Sequence, residues 1–338
     1  MRGYGFQEVS KMIVPILIFL ISFISTLLAM PWLIRYLRRI NLLVKDQNKK
    51  DKPLIPISGG LVVMGGIFLG LMTYICIRTF VFNDTNLLLY FFAAISTILL
   101  ISVFGFIDDS IIKKSKEASA GLKQWQKPLL TLIAAIPLVA IKAGTTTLSI
   151  PLIGSINFGL IYPLILVPLM VIFFSNAVNL LAGFNGLEAG LGLIYIGMLG
   201  LYAYVNGSYV AAIIALTTFA SLLAFIKFNW YPSKIFPGDS LTYLLGAVLA
   251  CIAILGNMEK AVLIVSIPFF IEFILKATSG FKAQSFGYWK DGKIHSLYEN
   301  KIYSLTHLFS RTGKFTEKQI VIFLMFIELI FALLIWVI

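Results

Sequence analysis

Long apolar segments separated by short polar links are the main feature of the sequence. Apolar runs near the ~20 residues that an α-helix needs to cross a bilayer recur along the whole chain. This pattern predicts an all-α polytopic membrane protein with about ten spanning helices. The predicted helices lie near residues 12–34, 59–80, 87–107, 127–142, 159–180, 186–205, 209–227, 239–256, 260–276 and 319–338. The first run is too long for a signal peptide and lacks a small-residue cleavage site, so it is interpreted as a spanning helix.

The polar links add few further elements. In the link 145–159, alternating Thr, Leu and Ile residues around Pro151 and Gly154 predict a small β-hairpin outside the membrane. The longest polar link, 277–318, lies before the last helix and contains both histidines, which are interpreted as ordinary loop residues. No fixed-period repeat is visible, so we expect one membrane-embedded domain over residues 1–338.

The composition supports this membrane assignment. Of the 338 residues, 59% are hydrophobic and 12% are charged, whereas a soluble globular chain carries about a quarter of charged residues. The two cysteines lie in apolar segments without metal-ligand spacing, which gives no support for a disulfide framework. The net charge of +12 is explained by membrane topology, so we expect no nucleic-acid partner.

Basic residues are distributed unequally between the two sides that the links define. The odd-numbered links hold seven Lys or Arg residues at 35–52, five at 113–127, two at 227–234 and eight at 276–318. The opposite side keeps Arg2, Lys11, Arg78, Lys142 and Lys260. Because cytoplasmic links carry the excess of Lys and Arg, we expect the N-terminus outside and these four links in the cytoplasm.

An acidic pair ends the third apolar run. Asp108 and Asp109 close the segment LLLYFFAAISTILLISVFGFIDD, and Lys113, Lys114 and Lys116 follow at once. Two carboxylates at the edge of a bilayer are costly without partners and therefore indicate a functional site. A solvated loop after a helix would explain the pair if it stood alone. Nearby lysines favour a site that handles a metal ion and phosphate together.

A cluster of amides lies on the same predicted face, between spans five and six. Asn176, Asn179, Asn185 and Glu188 follow a strongly apolar stretch within thirteen residues. Glycines between them allow a tight turn, so two helix ends can present amides to one cleft. An interhelical turn with capping residues is the alternative interpretation.

Two further residues complete the predicted cytoplasmic cluster. Asp239 follows Gly238 at the start of span eight, where a carboxylate can cap the helix or bind a hard metal ion. Lys127 opens span four at the membrane boundary, where a cation can hold a phosphate. Mg²⁺ commonly uses one or two carboxylates together with substrate phosphate oxygens.

Three segments in order resemble a known family. GFIDD, NAVNLLAGFNGLEAG and NWYPSKIFPGDS resemble the polyprenyl-phosphate N-acetylhexosamine-1-phosphate transferases, over about Pro53 to Gly256. The segment LAGFNGLEAG is similar to the eukaryotic and archaeal dolichyl-phosphate N-acetylglucosamine-1-phosphotransferase branch. Bacterial relatives typically have Asp where this chain has Ala182 and Asn185.

The resemblance implies a reaction and a setting. It implies Mg²⁺-dependent transfer of GlcNAc-1-phosphate from UDP-GlcNAc to dolichyl (polyprenyl) phosphate with release of UMP, Mn²⁺ being the alternative ion. This reaction is the first step of lipid-linked oligosaccharide assembly for N-glycosylation. The implied location is the endoplasmic reticulum membrane or an archaeal cell membrane, with the active site on the cytoplasmic face. A homodimer is a further expectation.

The resemblance also implies roles for individual residues. It places metal ligands at Asn179 and Asp239, catalytic groups at Asp108, Asp109 and Lys127, and a nucleotide contact at Asn185. Asn176 and Glu188 are expected to bind substrate beside it. The link 277–318 departs most from the family pattern, and Lys282 there is the expected substitute for a family arginine.

Other functions fit parts of the sequence. A bacterial-type transferase that uses undecaprenyl phosphate, or one that moves another amino sugar, is the main alternative. A secondary transporter could also have ten spans, but transporters usually place polar groups near the midplane of two repeats. A non-catalytic scaffold would not need the predicted metal-type cluster.

Overall fold

A computed structural model describes residues 2–111, 121–150 and 154–337 of the chain. These residues form a bundle of α-helices with three small hairpins. In chain order, the described α-helices are α1 (Arg2–Arg39), α2 (Gly60–Cys76), α3 (Leu88–Ile111), α4 (Gln126–Ala134), α5 (Ile136–Ala140), α6 (Val167–Leu180), α7 (Leu187–Val205), α8 (Tyr209–Asn229), α9 (Asp239–Gly256), α10 (Glu259–Val265), α11 (Ile267–Thr278), α12 (His307–Ser310) and α13 (Glu317–Leu334). Single π-helical turns, Ile77–Val81 and Tyr162–Leu166, extend α2 and precede α6.

Among the described residues, seven helices are long and apolar enough to cross a membrane. They are Ile13–Arg39, Gly60–Val81, Leu88–Ile111, Tyr162–Leu180, Leu187–Val205, Tyr209–Asn229 and Asp239–Gly256. The helices α10 and α11 form an eighth candidate that is bent by 57°. Pro268 lies just after this bend and cannot donate the backbone hydrogen bond that would continue a straight helix. The prediction of a polytopic helical membrane protein is therefore confirmed at this coarser level.

Two of the ten predicted spans are not among the candidate membrane-crossing helices of the described residues. The segment 127–142 is divided at Ala135 into α4 and α5, where Pro137 removes a helical hydrogen bond. The segment 319–338 corresponds to α13. This helix is continuous, but it contains the acidic residues Glu317 and Glu328, which interrupt its apolar sequence. Ten spans and the orientation of the chain thus stay predictions.

Small antiparallel hairpins occupy three of the links. The strands β3 (Thr147–Ile150) and β4 (Gly154–Asn157) confirm the hairpin predicted for 145–159, and its turn with Pro151 lies outside the described residues. The strands β1 (Leu43–Lys45) and β2 (Leu54–Pro56) pair after α1. The strands β5 (Tyr288–Lys290) and β6 (Lys293–His295) pair within 277–318, which was predicted only as a loop.

The helix α9 forms the centre of the bundle. All residues from 240 to 254 are buried, and α9 packs against α2, α3, α6 and α8. A helix that is apolar on all sides is stable only when neighbours surround it. Its first residue, Asp239, is therefore held at the end of the bundle by several other helices.

A glycine allows α3 to approach the start of α9. A Cβ atom added at Gly105 would lie 2.4 Å from the backbone oxygen of Asp239, so a larger residue would force the two segments apart. Small residues at such contacts let helix backbones pack closely. This approach brings the acidic pair at the end of α3 next to Asp239.

Candidate active site

Polar residues from four helices meet at one end of the bundle. Asp108 lies in the last turn of α3, Lys127 in the first turn of α4 and Asn179 in the last turn of α6, and Asp239 is the first residue of α9. The Nδ2 atom of Asn179 lies 3.4 Å from Oδ2 of Asp239, so the two predicted metal ligands share one site. Lys113, Lys114 and Lys116 lie outside the described residues.

Lys127 lies between two carboxylates. Its Nζ atom is 2.8 Å from Oδ2 of Asp108 and 2.8 Å from Oδ2 of Asp239. Asp108 is fully buried and also accepts hydrogen bonds from the Tyr243 hydroxyl at 3.2 Å and from the backbone N–H of Leu122. Asp108 therefore fixes the ammonium group of Lys127 against Asp239.

Asp109 points in a different direction from Asp108. It is fully buried, and it accepts the Ser58 hydroxyl at 2.8 Å and the backbone N–H groups of Asp239 at 2.8 Å and Ser240 at 3.3 Å. A carboxylate at a helix N-terminus satisfies free N–H groups and interacts favourably with the helix dipole. Asp109 thus caps α9.

Gly238 makes this cap sterically feasible. Its φ angle is +70°, a conformation that residues with a side chain rarely adopt. A Cβ atom there would lie 2.3 Å from Oδ2 of Asp109. Glycine is therefore required at this position both for the backbone conformation and for the approach of the carboxylate.

A cleft with a volume of about 580 Å³ opens beside this cluster. Its polar lining residues are Lys45, Asp46, Gln47, Gln124, Lys127, Asn176, Asn179, Glu188, Asp239, Thr242, Lys276, Gln284 and Ser285. Aromatic residues also line it, among them Phe236, Phe273 and Phe281. The cleft thus combines a charged wall with apolar surface, as a ligand with both characters requires.

The predicted site residues divide into two groups. Lys127, Asn176, Asn179, Glu188 and Asp239 line the cleft. Asp108, Asp109, Asn185 and Lys282 do not belong to its lining. The first two support the cluster from behind, Asn185 is buried in a separate network, and the Lys282 side chain is exposed.

Asn176 and Glu188 have internal partners at the cleft wall. Asn176 donates to the backbone oxygen of Ile172 at 2.8 Å and to the Thr131 hydroxyl at 3.2 Å. Glu188 accepts the backbone N–H of Gly183 at 2.8 Å. Both contacts hold the ends of α6 and α7 in place, and both side chains still border the cleft.

The donor groups fit a hard divalent cation that is shared with a phosphate. Asp239 and Asn179 supply a carboxylate and an amide, and either amide atom of Asn179 can face Asp239, since the assignment depends on hydrogen bonding. Within the described part of the chain, no three His, Cys, Asp or Glu side chains group around one metal position. Mg²⁺ fits such a sparse site because it keeps water and binds substrate phosphates.

The charge balance of the cluster also favours a bound cation. Asp108 and Asp239 contribute two carboxylates, while Lys127 is the one ammonium that the described residues place in ion-pair contact with them. Two charges buried together are favourable only when opposite charge compensates them. An additional cation at Asp239 would balance this excess of negative charge.

Comparison with known proteins identifies the family. Residues 91–257 match the description Glycosyl transferase family 4. A protein of Saccharolobus solfataricus is 37% identical over 334 residues, 97% of both chains. It is provisionally named UDP-N-acetylglucosamine–dolichyl-phosphate N-acetylglucosaminephosphotransferase. The chain belongs to glycosyl transferase family 4.

Two further relatives carry two different names. A protein of Sulfolobus acidocaldarius, with the same provisional name, is 35% identical over 93% of both chains. A phospho-N-acetylmuramoyl-pentapeptide-transferase of Streptococcus mutans is 35% identical over 75% of this chain and 76% of its own. Family membership confirms the resemblance inferred from the three segments and the prediction of a transferase, and it favours a transferase over a transporter.

One basic residue at the cleft was not predicted as a site residue from the sequence. Lys276 lines the cleft, whereas Lys282, the expected substitute for an arginine, follows a turn and has an exposed side chain. Lys276 donates to the backbone oxygen of Ala283 at 2.7 Å and lies 3.7 Å from Glu272. A Glu and a Lys spaced by four residues on an apolar helix were the available signal.

Proposed function

We propose that the chain transfers GlcNAc-1-phosphate from UDP-GlcNAc to dolichyl (polyprenyl) phosphate and releases UMP. The observation that supports this most directly is Lys127 between Asp108 and Asp239 at the wall of a cleft at one end of an apolar bundle. The names of the two archaeal relatives support the choice of donor and acceptor. In this proposal the reaction begins lipid-linked oligosaccharide assembly for N-glycosylation.

In this proposal the cleft is open both to a water-soluble donor and to a lipid acceptor. UDP-sugars are soluble in water, whereas the chain of a polyprenyl phosphate stays in the bilayer. The charged wall lies at the end of α3 and the start of α9, and Phe273 and Phe281 border the same cleft. The distribution of Lys and Arg supports a cytoplasmic position for this end.

The reaction is balanced without a net proton transfer. An oxygen of the acceptor phosphate forms a bond to the phosphorus that carries the sugar, and the bond from that phosphorus to the oxygen of UMP breaks. The second pKa of a phosphate monoester is near ~6, so the acceptor is mostly a dianion at neutral pH. Placement and charge neutralisation are then the main tasks of the protein.

The residues of the cleft can perform these tasks. Lys127 places a positive charge where two anions must approach each other. Asp108 holds Lys127, and Asp109 holds the backbone of Asp239. We propose that Asp239 and Asn179 hold Mg²⁺, or Mn²⁺ as the alternative. When bound, this ion would neutralise phosphate charge and stabilise the leaving group.

The experiment is a transfer assay with radiolabelled sugar donors and purified protein in detergent. We expect product from UDP-GlcNAc and dolichyl phosphate, loss of product with EDTA and recovery with added Mg²⁺. We also expect inhibition by tunicamycin and no transfer by Asp239→Asn. Absence of transfer by the wild-type protein with Mg²⁺ would refute the proposal.

A bacterial-type reaction is the second candidate, because the Streptococcus mutans relative is named for phospho-N-acetylmuramoyl-pentapeptide transfer. The same assay separates the two candidates when it includes undecaprenyl phosphate, UDP-GalNAc and UDP-MurNAc-pentapeptide. Preference for UDP-MurNAc-pentapeptide with undecaprenyl phosphate would favour this second function.

A further inference from the structure

Ser58, in the turn between β2 and α2, has an unusual backbone conformation. Its φ angle is +88°, in the left-handed region that residues with a side chain rarely adopt. The residue is also fully buried. Glycine would adopt this conformation without a steric cost. Strained residues persist only where the surrounding structure holds them, and they cluster at functional sites. The serine side chain is therefore expected to make a contact that glycine could not make.

The Ser58 hydroxyl contacts the acid that caps α9. It donates to Oδ2 of Asp109 at 2.8 Å. The same oxygen accepts the backbone N–H of Ser240 at 3.3 Å, while Oδ1 accepts the backbone N–H of Asp239 at 2.8 Å. Ser58 thus forms the shorter of these two hydrogen bonds to Oδ2. Its hydroxyl fixes the rotation of the carboxylate that holds the start of α9.

The orientation of Asp109 affects the position of Asp239. Both oxygens of the Asp109 carboxylate hold N–H groups of the first turn of α9, so rotation of the carboxylate would lengthen at least one of these bonds. Asp239 is the first residue of α9, and its side chain borders the cleft. A shift of its backbone therefore moves the carboxylate that faces Lys127 and Asn179.

The backbone around Ser58 is held independently of its hydroxyl. The N–H of Gly59 donates to the backbone oxygen of Phe236 at 2.9 Å, and the N–H of Phe236 donates to the backbone oxygen of Pro56 at 2.7 Å. These bonds join the turn to the segment before α9 and do not involve the side chain at residue 58. Removal of the hydroxyl should therefore reorient Asp109 without unfolding the turn.

We propose that Ser58 is a positioning residue for the cation site. Its hydroxyl orients Asp109, Asp109 holds the backbone of Asp239, and Asp239 thereby presents its carboxylate beside Asn179. Ser58 does not line the cleft, so it acts on the cation through Asp109 and not by contact. This inference rests on the proposed function, which assigns the cation to Asp239 and Asn179.

The test compares two variants that both lack the hydroxyl. Ser58→Ala keeps a side chain in the left-handed conformation, whereas Ser58→Gly relieves this conformation and makes the unfolded chain more flexible. Their Tm values should therefore differ. Both should nevertheless bind Mn²⁺ more weakly than the wild-type protein by the same factor of about 10, the lower end of the range for residues that hold metal ligands. A merely structural role would make the loss of affinity follow Tm.

The measurement is the loss of the electron paramagnetic resonance signal of free Mn²⁺ on titration with purified protein in detergent. Binding that persists in Asp239→Asn defines the non-specific contribution. Ser102→Ala is the matched control, because Ser102 is also fully buried and its hydroxyl donates to the backbone oxygen of Ser240 at 3.3 Å and not to Asp109. This variant should bind Mn²⁺ with wild-type affinity.

A double-mutant cycle tests whether Ser58 acts through Asp109. Asp109→Asn and Ser58→Ala should each weaken Mn²⁺ binding. The double variant should bind Mn²⁺ no more weakly than Asp109→Asn alone, because residues that act through one contact have non-additive effects. Additive losses in the double variant would contradict this route.

Four other results would overturn the inference. They are wild-type Mn²⁺ affinity in both Ser58 variants, losses of affinity that follow Tm, absence of Mn²⁺ binding by the wild-type protein, and failure of both Ser58 variants to fold. If only Ser58→Ala fails to fold, Ser58→Gly replaces it in the cycle. Mn²⁺ binding is measured without substrates, so a wild-type protein that binds Mn²⁺ but transfers no sugar refutes only the proposed function.

Discussion

Asp109 accepts the backbone N–H of Asp239 at 2.8 Å, so the acid that ends one membrane helix caps the start of another. Asp109→Asn would replace one acceptor oxygen by an NH2 group that faces N–H or hydroxyl donors. We expect a loss of about 1–2 kcal/mol in the free energy of unfolding and a reduced kcat, because Asp239 is displaced. Thermal unfolding and transfer assays on the same sample measure both effects. An unchanged Tm with normal kcat would show that the cap has no such role.

Lys127→Met tests the ammonium group between two carboxylates. Without it, Asp108 and Asp239 face each other and the cleft loses a positive charge for phosphate. We expect kcat to fall by about 10²–10³-fold, as on loss of a charge-stabilising donor. Lys123→Met is the matched control, since Lys123 is exposed four residues earlier and outside the cleft lining. Equal kcat values in the two variants would exclude a special role for Lys127.

The buried pair of Glu272 and Lys276 fastens the link 277–318 to α11. Glu272 accepts the backbone N–H of Leu305 at 2.7 Å, and Lys276 donates to the backbone oxygen of Ala283 at 2.7 Å. Lys276→Met alone leaves Glu272 without its cation and should cost about 3 kcal/mol of unfolding free energy. The double variant with Glu272→Gln should be more stable than Lys276→Met. Hydrogen exchange in residues 283–305 reports the loosened link, and a double variant less stable than Lys276→Met would argue against this pairing.

His307 should make stability depend on pH. Burial lowers the pKa of His307 from 6.5 to about 4. The neutral ring accepts the backbone N–H of Tyr303 at its Nδ1 atom, and its Nε2 atom pairs with the backbone oxygen of Gln284 at 3.0 Å. The unfolded chain takes up a proton below about pH 6.5 and the folded chain only near about pH 4, so stability falls as pH decreases through this interval.

The measurement is Tm at about pH 7 and about pH 5. The wild-type protein should lose more Tm between these values than His307→Gln, whose side chain does not titrate. His295→Gln serves as a control for the other histidine of the same link. Equal Tm losses in the wild-type protein and His307→Gln would contradict a buried neutral imidazole.

Much of the fold and of the site could be predicted from the sequence. Apolar length and composition are local properties, so they predicted the spanning helices and the hairpin formed by β3 and β4. Polar residues at the ends of apolar runs were predicted to lie near one membrane boundary, and the structure does bring Asp108, Lys127, Asn179 and Asp239 together. Family membership followed from the segments that carry these residues.

The direction in which each side chain points was decided only by the tertiary structure. Asp108 and Asp109 are adjacent, yet one holds Lys127 while the other caps α9, 130 positions along the chain. Asn185 donates its amide to Asp46 and Glu317, partners that the sequence did not indicate, and its expected contact with the nucleotide stays a prediction. Such partners come from contacts between distant segments, and the periodicity of a single chain contains no information on which acid meets which donor.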